Sequence, residues 1–170
     1  MYALYHLIWS VVGIAWLLSI LCINKMYAQT YRLRKVNDSL SYVQLQTDSS
    51  LHEWPLPYPI YQMQTADIDN NGTEEVLIGV VKGTRFYPQK ARRLFIFKNV
   101  NGKIRPMWLG SRLAGSLQDF RCVNHHIRSL EKRGDKWLVA EFKMGQFGPS
   151  FIRYLIYDTT EQEAKKQFKR

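Results

Sequence analysis

The chain has 170 residues, of which 46% are hydrophobic and 22% are charged, so its composition is that of a packed globular domain rather than a disordered one. This length holds one domain of ordinary size behind an N-terminal leader and excludes most large multidomain enzymes. A net charge of +10 is compatible with anionic partners but does not identify one.

Residues 7–23 form an apolar run without a charged side chain, which is typical of a targeting or anchoring segment. We therefore predict that residues 1–28 are a signal peptide or a membrane anchor, and we favour cleavage after Ala28. The cations Lys25, Arg32 and Arg34 follow the run, and the positive-inside rule would keep the remainder of the chain in the cytosol. A small membrane protein with a cytosolic domain is thus the alternative.

Residues 29–59 are rich in Ser, Asp, Gln and Thr, and they end in three alternating prolines, Pro55, Pro57 and Pro59. Proline is compatible with neither a helix interior nor a central strand. This composition predicts a linker and a Pro-rich segment leading into the next domain, with a short helix over residues 32–45 as an option.

Residues 60–158 predict an all-β domain, because short apolar or alternating runs are separated by turn residues. Tight hairpins are expected at Asn101-Gly102 and at Gly134-Asp135. The eight predicted strands are Ile60–Ala66, Val76–Lys82, Arg93–Lys98, Ile104–Leu109, Leu117–Val123, Ile127–Lys132, Lys136–Lys143 and Phe151–Asp158.

These strands divide into two four-stranded antiparallel meanders, 60–109 and 117–158, each about the size of a β-propeller blade. Two blades cannot close a ring, so we expect them to pack as a compact two-sheet domain and the protein to be a monomer. Residues 159–170 read as a charged tail forming a frayed helix.

One loop has the residue types and the spacing of a cation site. Asp67, Asp69 and Asn71 alternate, Gly72 permits a sharp turn, and Glu75 stands at the ninth position. The backbone carbonyl of the seventh residue, Thr73, would complete an oxygen cage suited to a hard cation. The twelfth position holds Ile78 instead of an acidic residue, which excludes an EF-hand.

The sequence DIDNNGTEEVLIGV at 67–80 resembles the calcium loop of FG-GAP and VCBS-type repeats, which build β-propellers in integrin α-chains and many exported bacterial proteins. The resemblance implies a structural calcium ion held by Asp67, Asp69, Asn71 and Glu75, with Thr73 ligating through its carbonyl. Position five is neutral and position nine is Glu where the family more often has Asp. The alternative is a polar hairpin loop, for which Asp, Asn and Gly are the usual residues.

Four cations, Arg85, Lys90, Arg92 and Arg93, form a candidate ligand surface for an unknown protein or an anionic glycan. The alternative is that they occupy the solvent face of an antiparallel sheet, where polar side chains are required in any case. Export argues against a nucleic-acid partner.

The combined interpretation is an exported or membrane-tethered calcium-binding interaction module, located in the periplasm, at the cell surface or outside the cell. The chain has no nucleophile elbow and no phosphate-binding glycine loop, which favours a binding module over an enzyme. Two alternatives are kept: an enzyme of unknown class with a site near Asp119, His125 and His126, and a polyanion-binding membrane protein.

Overall fold

The computed structural model describes residues 29–85, 87–110 and 113–170, so the predicted leader, 1–28, lies outside the described residues. The described part is almost entirely β structure, with eleven strands and one helix. The strands are β1 Thr30–Asn37, β2 Leu40–Gln46, β3 Leu51–Leu56, β4 Ile60–Ala66, β5 Glu75–Lys82, β6 Ala91–Val100, β7 Lys103–Leu109, β8 Ser116–Val123, β9 His126–Arg133, β10 Lys136–Gly145 and β11 Gly148–Thr159, and the helix α1 is Glu161–Lys169. None of the helices in this part of the chain has the length and apolarity to cross a membrane.

The strands form three antiparallel meanders in chain order: a first sheet of β1–β3, a middle sheet of β4–β7 and a last sheet of β8–β11. All eight predicted strands and both four-stranded meanders are confirmed. The two predicted hairpins are also present. Asn101 and Gly102 have φ of 53° and 76°, and Gly134 has φ of 63°, the left-handed values that such two-residue turns require.

The prediction of a linker at 29–59 is wrong, because this segment forms the first sheet. Tyr31 on β1 and Val43 and Leu45 on β2 alternate with polar residues, so that one face of the sheet is apolar and buried. Pro55 lies on β3, which is an edge strand and therefore tolerates the missing N–H. The optional helix over residues 32–45 is replaced by the β1–β2 hairpin.

The prediction of two sheets is also wrong, since the middle sheet is buried on both faces. Val76, Ile78 and Val80 of β5 pack in one cluster with the first sheet, whereas Leu77 packs in a second cluster with the last sheet. An uninterrupted apolar strand such as β5 is stable only when both of its faces are covered. The three sheets therefore stack as layers, with a separate core on each side of the middle sheet.

The two ends of the stack are closed in different ways. The outer face of the first sheet is polar, and there Arg34 pairs with Glu53 at 3.0 Å. The outer face of the last sheet is covered by α1, whose Ala164 and Phe168 are buried against it. The helix begins with a capping box between Thr160 and Glu163, so the predicted frayed tail is a docked helix.

Candidate metal centre and basic cleft

The loop between β4 and β5 brings three carboxylates together at one edge of the middle sheet. One ligand atom from each of Asp67, Asp69 and Glu75 lies within 4.8 Å of the others. Asp69 is exposed and Asp67 is half-buried, whereas Glu75 at the start of β5 exposes only 1% of its surface. The group thus has one side open to solvent and one side inside the protein.

The loop holds Asp67 in place through its own backbone. Asp67 Oδ1 accepts a hydrogen bond from the Asn71 N–H at 3.0 Å, and Oδ2 accepts one from the Gly72 N–H at 2.9 Å. Asn70 and Gly72 have φ of 58° and 84°, and these left-handed residues turn the backbone amides toward the carboxylate. Each carboxylate oxygen has a second lone pair, so these two hydrogen bonds orient Asp67 and leave lone pairs that can coordinate a cation.

The two remaining predicted ligands contact each other. Asn71 Oδ1 accepts the Thr73 N–H at 2.8 Å and the Thr73 hydroxyl at 2.5 Å. The structure therefore brings together the three carboxylates of the predicted set, while Asn71 stabilises the turn. The two interpretations of the sequence, a cation site and a polar hairpin loop, each describe part of this loop, because Asn71-Gly72 forms a turn and the acidic residues cluster beside it.

Glu75 is the electrostatic centre of the loop. Burial raises the pKa of Glu75 to about 7, the negative charges of Asp69 and Asp67 add to the increase, and a 3.0 Å hydrogen bond from the Ile68 N–H opposes it. Within the described residues no lysine or arginine forms an ion pair with any of the three carboxylates. A bound cation would remove the penalty that burial imposes on the charged form.

His125 is a neighbour of this loop that sequence reasoning missed. Asn124 and His125, with φ of 49° and 62°, form the turn between β8 and β9. The turn reaches from the last sheet to the middle one, where His125 Nδ1 lies 2.6 Å from the backbone oxygen of Asp67 and 3.9 Å from its Oδ2. Because a carbonyl oxygen only accepts, Nδ1 carries the proton in this contact.

The residues of the alternative enzyme site have different partners. Asp119 Oδ1 accepts the N–H of the next residue, Phe120, and its charge acts on Tyr61. His125 contacts Asp67 instead, and His126 begins β9. No contact between Asp119 and either histidine is found among the described residues, so these groups do not form an acid/base pair there.

The four predicted cations separate into different environments. Lys90 and Arg93 line a cleft of about 490 Å³, which we call the basic cleft; other residues lining it are Tyr87, Gln89, Gly115 and Ser116. Arg92 points elsewhere, since its guanidinium donates to the Gln118 carbonyl and stacks 4.7 Å from the Tyr61 ring centre. Neighbouring residues of a strand face opposite sides, which explains why Arg92 and Arg93 differ.

Comparison of this chain with protein-family models, with curated proteins and with solved structures returned no match.

Proposed function

We propose that the loop 67–75 binds one calcium ion structurally and that the protein is an exported or membrane-tethered interaction module. The observation that carries the metal proposal is the convergence of three carboxylates within 4.8 Å, one of them buried. A hydrogen-bonded turn requires Asp67, Asn71 and Gly72, but it does not require a buried glutamate pointing at two aspartates. An all-oxygen donor set favours a hard cation, and calcium tolerates an irregular loop better than magnesium does.

The proposed ion has a structural role. The loop joins β4 to β5, and its neighbour His125 belongs to the turn between β8 and β9. Fixing the loop would therefore hold the β8–β9 turn against the middle sheet. A structural calcium ion is also what the resemblance to FG-GAP and VCBS-type loops implies. The three stacked meanders would then correspond to the blade-like sheets of such repeats.

An interaction module is favoured over an enzyme by the same geometry. The acid and base candidates Asp119 and His125 engage different partners, whereas Lys90 and Arg93 line an open cleft, the basic cleft. Loops and clefts at the edges of a rigid β scaffold are common sites of partner binding. The apolar segment 7–23 adds export or membrane attachment to this proposal.

Calcium-dependent stabilisation tests the metal proposal. With an affinity at the weak end, about 10⁻⁴ to 10⁻³ M, about 10 mM calcium should stabilise the full-length protein by about 1.4 to 2.7 kcal/mol and raise the melting temperature by several degrees. Asp67→Ala should abolish the increase. Asp135→Ala, in the β9–β10 turn, is the matched control and should keep it. An equal calcium response in wild type and Asp67→Ala would contradict the proposal.

Mass spectrometry of the native protein tests export. A cleaved leader would leave a mature chain beginning at or near Gln29, and a retained anchor would leave an intact N-terminus with the C-terminal domain outside the cytosol. An intact N-terminus together with a cytosolic position of Arg170, measured by protease accessibility, would contradict both the cleaved and the membrane-anchored form of the exported protein. The polyanion-binding membrane protein would then be the working hypothesis.

A further inference from the structure

We propose that the basic cleft binds the oxyanion group of a small hydrophilic ligand, a carboxylate or a phosphate. The cleft lies between loop residues 87–90 with the start of β6 on one side and Gly115 and Ser116 at the start of β8 on the other. Its volume of about 490 Å³ is in the range of small-ligand sites. The proposal follows from the state of one side chain, Arg93.

Arg93 is a buried cation without an anionic partner. It exposes 9% of its surface, and its Nε is buried without a hydrogen-bond acceptor. Within the described residues no carboxylate forms an ion pair with it. Buried charges in folded proteins are normally paired, and an unpaired one carries a desolvation cost. A ligand that brings its own negative charge into the cleft would satisfy this group.

Two other arginines, one buried and one exposed, show what Arg93 is missing. Arg128 exposes 8% of its surface and has a buried Nη1 without a hydrogen-bond partner, as Arg93 has a buried Nε, but its Nη2 pairs with the Glu141 carboxylate at 2.8 Å. Arg92, although exposed, donates to the Gln118 carbonyl. In the described part of the chain the Arg93 guanidinium has a cation–π contact with the Tyr87 ring, whose centre lies 5.8 Å from the guanidinium carbon, but no ion pair. The described residues thus supply an acceptor for the neighbouring arginine and a carboxylate for the other buried one, and neither of these for Arg93.

The remaining groups of the cleft fit an oxyanion on a polar ligand. The planar guanidinium of Arg93 matches the two oxygens of a carboxylate or phosphate, and the exposed Lys90 adds a second positive charge. Ser116, an exposed residue with a hydroxyl group, lines the opposite wall. Glu131 does not line the cleft: its carboxylate accepts the Gly115 N–H and the Ser129 hydroxyl behind that wall. The chemistry inside the cleft is therefore positive and hydrogen-bonding.

This inference rests on the proposed interaction role, for which it supplies the class of ligand. Its test is calorimetric titration of the full-length protein with inorganic phosphate, with galacturonate as the carboxylate probe, and with neutral galactose. We expect saturable binding of one or both anions with a dissociation constant near about 1 mM, and none of galactose. Binding of phosphate alone or of galacturonate alone identifies which oxyanion the cleft takes. Calcium is titrated into separate, anion-free samples of the same protein, so loss of anion binding and loss of calcium binding are distinguished.

Two variants of equal charge decide whether Arg93 is responsible. Arg93→Gln should weaken anion binding by about tenfold or more, because a charge-assisted hydrogen-bond donor is removed. Arg105→Gln removes the same charge from an exposed position on β7 and should bind within about twofold of wild type. Because Arg93 is unpaired, its replacement should not lower the melting temperature.

A second pair keeps the test decisive if Arg93→Gln does not fold. Lys90→Gln should weaken binding by about threefold, whereas Lys103→Gln at the exposed start of β7 should not. The proposal is overturned if the wild type binds neither anion saturably. It is also overturned if the cleft variants and their controls have equal affinities.

Discussion

Replacing Glu75 by glutamine should stabilise the metal-free protein and remove its response to calcium. The pKa of Glu75 rises from an ordinary 4.5 to about 7 in the fold, so the folded state disfavours the ionised form. Below pH 4.5 the side chain is neutral in both states and imposes no cost. The free energy of unfolding then falls as the pH rises from 4.5 to about 7, and above that pH the loss is constant. The loss is about 3 kcal/mol, because each unit of pKa shift corresponds to about 1.36 kcal/mol.

Glutamine keeps the shape of Glu75 and an oxygen that accepts the Ile68 N–H, but it carries no charge. In calcium chelator near pH 8, Glu75→Gln should therefore be more stable than wild type by up to about 3 kcal/mol, and near pH 4 the two should be equal. About 10 mM calcium should stabilise the wild type by about 1.4 to 2.7 kcal/mol, which recovers about half or more of this difference, and should change the variant little.

Urea unfolding followed by tryptophan fluorescence measures these free energies at each pH, with and without calcium. Equal stability of the two proteins near pH 8 without metal would refute the argument that Glu75 is a buried, electrostatically strained carboxylate. A pH-independent difference would assign the effect to packing rather than to charge.

Three further predictions follow from the packing of the layers. Burial alone would raise the pKa of Glu141, but hydrogen bonds and charge from Arg128 and Arg153 lower it below 4.5. The ionised Glu141 therefore stabilises the fold above pH 4.5, and this stabilisation is lost as the pH falls through the lowered pKa. Glu141→Gln should cost about 3 to 5 kcal/mol in urea unfolding near pH 7, because a buried cation loses its partner; a cost below that of a surface pair would contradict this. Phe168→Ala should cost about 3 kcal/mol and increase dye binding to the uncovered last sheet, whereas Lys166→Ala should change little; equal effects would mean that the helix is not docked in solution. Light scattering of the purified protein should give a monomer, since the three stacked sheets bury two cores within one chain, and a stable dimer at micromolar concentration would contradict this.

The strands beyond residue 60 could be predicted because their signals are local. Asn101-Gly102 and Gly134 mark tight turns, and the runs between turns have the period of a strand. The first sheet had a local signal as well, in the alternation of Tyr31 with Leu33 and of Val43 with Leu45 around the polar turn at Asp38. The abundance of Ser, Asp and Gln in this segment obscured it.

The number of layers also had a signal in β5. Its apolar run from Val76 to Val81 contains no polar residue, and such a strand needs cover on both faces. If the domain had only two sheets, one face of the sheet that contains β5 would be exposed. The alternating apolar residues in 30–46 belong to the additional sheet that covers this face.

The candidate sites could be predicted only where the residues that form them lie close together in the sequence. Asp67, Asp69 and Glu75 belong to one short loop, so their convergence follows from sequence. The contact of His125 with Asp67 depends on how the last sheet lies against the middle one. The burial of Arg93 likewise depends on residues more than twenty positions away, at the start of β8. Contacts between sheets have no counterpart in local periodicity.

Equilibrium dialysis of metal-stripped full-length protein against radioactive calcium measures the central claim directly. We expect one calcium ion per chain with a dissociation constant of about 10⁻⁴ to 10⁻³ M. Asp69→Asn, at an exposed position of the loop, should weaken binding by about tenfold, and Asp48→Asn in the β2–β3 turn should leave it unchanged. Less than a tenth of an ion bound per chain at about 10 mM calcium, or equal binding by Asp69→Asn and wild type, would contradict the claim.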